Sequence, residues 1–319
     1  MREPSDGYAA CGTGSGRGRE ISMKKKKKKK KKKKGKFFTV ILSFIFLTGL
    51  SLLLYPTVSN YWNAAHQSRA IYNYSHAVEE LSEENYAELL TAARDYNASL
   101  LQKADRYELN EKEREEYRSL LNIEGNGVMG YIDIPRIDVT MPVYHTTDSD
   151  ILQFAAGHIP GTSLPVGGTG THCAISGHRG LPSAKLFTDL DKLQTGDLFY
   201  VNVLKERLAY EVDQVLIVEP DNMEPLEIDP GADQMTLITC TPYAINTHRL
   251  LVRGHRIEAE DPDGTVSFTS EAFQISPTLV ASIISVPALG FLLILTVVSR
   301  KKRSASDRAR RRYQKGKRL

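Results

Sequence analysis

Residues 236–256, TLITCTPYAINTHRLLVRGHR, hold an apolar run that stops at Cys240, a loop TPYAINT, and a second apolar run that opens on His248 and Arg249. Aliphatic and β-branched residues bounded by turn residues read as two strands, 234–239 and 248–256. If the two pair through the loop, Arg249 is brought beside the Cys240 thiol. Cys240 itself has three readings: a small buried hydrophobe, half of a disulfide, or a nucleophile.

Upstream of this hairpin the same character repeats. GYIDIP, MPVYH, HCAIS, LFYVNVL, RLAYEVDQVLIVEP, QMTLITC and HRLLVRGHRI are short β-branched or aromatic runs separated by turn residues, the spacing of a barrel or sandwich. No strand and helix alternate regularly, which argues against a doubly wound sheet. A short amphipathic helix is expected at Ser183–Leu193. The fold class is therefore mainly β over residues 128–259.

Residues 56–127 differ. From about Ser59 to Leu121 the chain is rich in Glu, Ala and Leu and free of Gly and Pro, with Leu81, Leu89, Leu90, Leu100, Leu101, Leu120 and Leu121 at helical spacing. Two or three helices are expected. Asn110 with Glu113 three residues later forms a capping-box signature for the last one, leaving Asp105–Leu109 as a connector.

The net charge of +4 conceals a strong polarity. Phe37–Tyr55 carries no charge and approaches the ~20 residues that a bilayer-spanning helix needs, and Pro277–Val298 is a second such run. Residues 1–36 carry a net +12 and residues 300–319 a net +10, leaving the segment between them at −18. Lys and Arg beside membrane spans stay on the cytoplasmic side, so the expected topology is two-pass, with both basic tails (1–36 and 299–319) inside and the acidic middle outside. A polar linker, 260–276, leads to the second span. Lys24–Lys34 at the membrane border reads as a topological and lipid-facing signal rather than a nucleic-acid patch. The first span lacks a convincing cleavage site and reads as a retained anchor. Met23 directly precedes the lysines, which makes residues 1–22 readable as an upstream extension. Their CGTGSGRG run follows no strand and does not fit a nucleotide-binding loop.

A thiol nucleophile needs a proton carrier that favours its thiolate and a donor for the oxyanion formed on the attacked carbonyl. His178 in SGHRG, just past the strand THCAIS, and Arg249 are the candidates. Spacing alone leaves the bland readings open: a buried cysteine and a solvated arginine are both common. It does set rivals aside. Papain-like enzymes place Cys before His, and caspase-like enzymes have an α/β fold. Cys173, in an apolar strand, reads as a buried free thiol, although a disulfide with Cys240 is chemically open in an external domain. His158, His172, His248 and His255 have no metal-ligand spacing, Asp148–Asp150 does not continue as a calcium loop, and no metal or cofactor is expected.

The stretch 236–256 resembles the active-site signature of the sortases, cysteine transpeptidases of Gram-positive bacteria. Its form, TLITCTPY followed by NTHRLLVRG, is similar to class C, the pilus-assembling branch. GHIPGTSLPVGGTGTHCAISGHRGLPSAKLFTDL (157–190) is similar to that family's histidine region, and the likeness runs from about Met129 to Arg256. It implies an eight-stranded sortase-type β-barrel preceded by a helical lid segment, between two transmembrane helices. It also implies Cys240 as nucleophile, His178 as proton donor and acceptor, Arg249 as the oxyanion and substrate-orienting group, and Thr239 as a supporting residue. The implied reaction cleaves an LPXTG-like sorting signal between Thr and Gly and passes the acyl group to a pilin lysine.

Class C lids carry an Asp and an aromatic residue around a proline. The matching position is Asp105–Arg106–Tyr107, with Arg in place of Pro. Tyr107 is expected to cover the thiol and Asp105 to pair with Arg249, while loss of the proline is expected to leave the loop less preorganised. Two rivals remain: a sortase that attaches surface proteins to peptidoglycan, and a membrane-tethered scaffold whose barrel merely binds extended peptides.

Overall fold

The computed structural model describes residues 16–258, with side chains from residue 41 onward. The expected linker 260–276, the second apolar run 277–298, the tail 299–319 and Cys11 lie outside the described residues. The chain divides into two units, Met1–Pro56 and Thr57–Leu319.

Three helices precede the barrel: α1 (Gly16–Glu79), α2 (Glu83–Leu100) and α3 (Glu111–Ser119). In the first unit, Phe44, Ile45, Leu52 and Leu53 of α1 are exposed. Within the second unit the helices are fastened by short-range chemistry. The Ser82 hydroxyl accepts from the Asn85 amide, capping α2. Asn110 and Glu113 form the reciprocal capping box that the sequence predicts for α3.

Eight strands follow: β1 (Val128–Ile134), β2 (Val139–His145), β3 (Ala156–His158), β4 (Thr171–Ser176), β5 (Leu198–Val203), β6 (Glu206–Val218), β7 (Asp233–Thr241) and β8 (His248–Ile257). They close into a barrel in the order β1-β2-β3-β4-β7-β8-β6-β5. Two neighbouring pairs are parallel, β2 with β3 and β4 with β7, and the others are antiparallel. Alternate side chains such as Ile175, Val201, Leu237 and Val252 fill the interior.

Helices α2 and α3 extend this core. Ala93, Tyr117 and Leu121 join it, and the buried Asn97 side chain both donates to the Leu164 carbonyl (3.1 Å) and accepts from the Leu164 amide (2.7 Å). His158 is fully enclosed, with Nδ1 2.9 Å from the Tyr117 hydroxyl and Nε2 2.8 Å from the Ser163 carbonyl oxygen. Burial pushes its pKa down to about 4, so it is a neutral core histidine at pH 7.

Two expectations change. Ser183–Leu193 is a chain of turns ending in a 3₁₀ turn at Leu190–Lys192, without an α-helix. Leu186 has φ of +39°, which breaks a helical path, yet Ala184, Leu186, Phe187, Leu190 and Leu193 are all buried. Their spacing reflects core filling by a folded loop. The strand β3 was not expected, because three residues, Ala-Gly-His, show no alternation to read.

The end of α1 is tied to the barrel by Tyr74, whose side chain is buried. Its hydroxyl donates to the Met129 carbonyl (3.0 Å) and accepts from the Leu204 amide (2.7 Å). Tyr74→Phe leaves both backbone groups unpaired and is expected to cost about 1–3 kcal/mol. Chemical denaturation of the two proteins reads that difference directly.

Candidate active site

Hairpin register sets one side of the site. Cys240 on β7 is the direct partner of Arg249 on β8, and Thr241 of His248. Opposed residues of an antiparallel pair share a face, so thiol and guanidinium emerge on the same side of the sheet. The two intervening neighbours, Thr239 and Leu250, are buried on the opposite face.

The third residue arrives from β4. Its parallel register with β7 ends at Ser176 opposite Ile238, and side chains continue the alignment where the ladder stops. The Gly177 amide donates to the Ile238 carbonyl (3.0 Å), and the Thr239 hydroxyl donates to the Gly177 carbonyl (2.8 Å). One position further, Arg179 Nη1 donates to the Thr241 hydroxyl (3.2 Å). Position 178 is thus bracketed by 177–239 on one side and 179–241 on the other, which aligns it with position 240. Thr239 is a structural clamp with its side chain in the core, on the face opposite the thiol.

Cys240, His178 and Arg249 are each half-buried. Partial burial holds the His178 pKa below the ordinary imidazole value of 6.5, so the ring is neutral at pH 7. Arg249 Nη1 donates to the carbonyls of Asn246 (3.4 Å) and His248 (3.2 Å), folding the guanidinium back on its own loop. Its remaining N–H groups have no protein partner among the described residues. Cys240 and Cys173 are both free thiols. The register partner of Cys173 is Met235, five residues from Cys240 along β7, which is roughly 16 Å away at strand rise and beyond disulfide reach. Burial raises the Cys173 pKa well above that of a free thiol.

An apolar floor continues the face that carries the thiol. Ile238 and Leu251 lie two residues from Cys240 and Arg249, and they cluster with Ala174, Ile159, Leu226 and Met223. The last two belong to the connection between β6 and β7, which forms a wall. His172 pins that wall to the sheet: Nδ1 lies 2.8 Å from the Glu227 carbonyl oxygen and Nε2 2.8 Å from the Thr236 hydroxyl.

The segment matched to a lid, residues 101–110 between α2 and α3, rests on the same wall. Arg106 anchors it. Its side chain is only 7% exposed, and Nη2 donates to the Leu226 carbonyl (3.0 Å) and the Tyr107 hydroxyl (2.8 Å) and lies 3.4 Å from the Glu227 carboxylate. The loop backbone packs so closely on Gly161 that a Cβ there would sit 2.3 Å from the Arg106 carbonyl oxygen. The expected pairing of Asp105 with Arg249 is absent among the described residues. Asp105 is exposed, and the Arg106 guanidinium carbon lies 4.9 Å from the centroid of the Tyr107 ring. The arginine expected to loosen the loop is what holds it.

The end of β7 with Cys240, the segment just past β4 with His178 and the start of β8 with Arg249 thus lie at one rim of a closed barrel. The sortase domain profile matches residues 132–257. Sortase A of Bacillus anthracis is 31% identical over 133 residues, which cover 42% of this chain and 61% of that protein. The chain therefore spans about three fifths of that curated relative. Among solved structures, sortase C1 of Streptococcus agalactiae is 46% identical, with a TM-score of 0.59, covering 60% of this chain and all of the other. Sortase C of Clostridium perfringens, solved with the C-terminal cell wall sorting motif, is 42% identical, with a TM-score of 0.54 and coverage of 60% and 100%. This chain belongs to the sortase family, whose members are cysteine transpeptidases, and its structural neighbours include class C members.

The anchoring of loop 101–110 is open to direct measurement. Charge-assisted hydrogen bonds to a buried guanidinium contribute about 1.5–3 kcal/mol, so Arg106→Ala should speed amide exchange across 103–109 by roughly 10–100-fold while barrel amides stay protected. Unchanged exchange in that loop would assign its order to other contacts.

Proposed function

We propose that this chain is a membrane-anchored transpeptidase that cleaves an LPXTG-like sorting signal and transfers the acyl fragment to an amine, in the manner of a class C sortase. The bracketing of His178 against Cys240, with Arg249 as the register partner of the thiol, is the observation that carries this reading.

In the first half-reaction the Cys240 thiolate attacks the carbonyl carbon of the Thr–Gly bond. A C–S bond forms, and the oxyanion that develops is met by Arg249, which stays charged throughout and needs no proton transfer. Collapse breaks the C–N bond, and the leaving glycine amine takes a proton from the His178 imidazolium. In the second half-reaction an incoming amine attacks the thioester and gives its proton to His178. The C–S bond then breaks, and the thiolate is restored. A lysine of the next pilin subunit is the acceptor in this proposal, supported by the class C neighbours. Loop 101–110, with Asp105 and Tyr107, acts as a lid held through Arg106.

Residues 37–55 serve as one membrane anchor and residues 277–298 as a second. Both basic tails then lie in the cytoplasm, and residues 56–276 lie outside, where the sorting signals and acceptor amines are found. The lid segment 56–127, the barrel 128–259 and the linker 260–276 are the corresponding functional divisions.

Cys240→Ala is expected to abolish both the thioester intermediate and the covalent product in a peptide-transfer assay; retained product would remove Cys240 as the nucleophile, and a wild-type chain that binds the peptide without forming product would favour a binding scaffold. Arg249→Ala should slow the reaction by about 10²–10³-fold if it is the principal oxyanion donor. The pH–rate profile should be bell-shaped. The reactive thiolate–imidazolium pair holds one proton between its two members, so activity is lost as pH falls through the His178 pKa. Its depressed value puts that acid limb below pH 6.5. Mass spectrometry of the product joint identifies the acceptor: a pilin lysine supports pilus assembly, and a cell-wall peptide supports surface-protein anchoring.

A further inference from the structure

We infer that Arg179 is a positioning residue, whose guanidinium fixes His178 opposite Cys240 and thereby sets the rate of acyl transfer. The inference rests on the reading of Cys240 and His178 as nucleophile and proton carrier.

Arginine side chains are seldom enclosed, because the guanidinium must recover in the protein what it loses in water. That of Arg179 is only 8% exposed. Nη1 donates to the Thr241 hydroxyl, Nη2 donates to the Asp191 carboxylate, and the Tyr243 ring centroid lies 5.9 Å from the guanidinium carbon. Nε is buried with no partner among the described residues. One side chain therefore joins the loop that carries His178 to the 3₁₀ turn 190–192, to the end of β7 and to the β7–β8 loop.

The other bonds of the histidine loop do not supply this alignment. Phe187 N donates to the His178 carbonyl (3.2 Å) and Gly180 N to the Thr188 hydroxyl (3.1 Å), which fold the loop on itself without referring it to β7. Among the described residues, the Gly177 bonds and Arg179 tie this segment to β7. Gly177 and Gly180 flank the segment, and Gly180 sits at φ of +77° with the Tyr243 ring packed on it, so a Cβ would meet that ring at 2.9 Å. Two glycines make a pivot, and Arg179 locks it from the far side of His178. Proton transfer is steeply sensitive to placement: a displacement of about 1 Å costs on the order of 100-fold.

The test compares wild type with Arg179→Ala, Arg179→Lys and Thr241→Val. It measures kcat and KM on a fluorogenic LPXTG-like peptide with an amine acceptor, the melting temperature, and alkylation of Cys240 by iodoacetamide at about pH 10, above the range of an ordinary free thiol. Arg179→Ala should lower kcat by about 10–100-fold, leave KM within about twofold and leave alkylation at high pH unchanged. Arg179→Lys should recover part of kcat, because an ammonium reaches Thr241 or Asp191 but cannot span both as the planar fork does. A kcat for Arg179→Ala within about twofold of wild type, or a loss confined to KM, overturns the inference. If Arg179→Ala instead melts the fold, Thr241→Val, which leaves the Asp191 pair intact, decides: wild-type kcat there overturns the inference, and a fall in kcat at constant KM upholds it. A wild-type chain that does not cleave the peptide overturns the underlying reading, and this is seen before any variant is compared.

Discussion

The parallel pairing of β4 with β7 is the constraint on which the rest of the site depends. Parallel neighbours end at the same rim of a sheet, and the chain between them must cross over to return in the same direction. Here the crossover takes in β5 and β6, so the residues just past β4 and at the end of β7 emerge side by side although 62 positions apart. The hairpin to β8 then turns at that rim and brings an arginine back beside the cysteine. An antiparallel β4–β7 pair would have put the imidazole and the thiol at opposite ends of the barrel.

Division of labour between sheet faces follows from the same register. Along β7, Leu237 and Thr239 point inward and Ile238 and Cys240 outward. The inward threonine holds the neighbouring strand end, while the outward Ile238 packs under the β6–β7 connection and Cys240 stays half-buried at the rim. This separates rigidity from reactivity by one position along the chain. It also explains how a polar hydroxyl is accommodated in an apolar core, since its hydrogen bond to the Gly177 carbonyl satisfies it.

Much of this was legible in the sequence because alternation and turn residues are local signals. The strands around Cys240 and Arg249, their pairing, and the capping box of α3 all show in short windows. The relation of His178 to Cys240 is not local, and spacing alone left it open. The resemblance pointed to it, and strand register then gave it a geometry. Ser183–Leu193 misled because buried apolar residues in a folded loop can mimic helical periodicity. Arg106 misled for a different reason: from sequence it is a missing proline, whereas its worth lies in partners at Leu226 and Glu227, some 120 residues away. Arg179 drew no attention beside a conspicuous histidine, although adjacency to His178 was the available signal.

Glu227 belongs to two attachments at once. Its carboxylate faces Arg106 from loop 101–110, and its carbonyl faces His172 from the floor of the sheet. Loop 101–110, the β6–β7 connection and the sheet therefore share one joint at that residue. A displacement of the connection is felt at once by the loop on one side and by strand β4 on the other, so the three are mechanically linked through a single position.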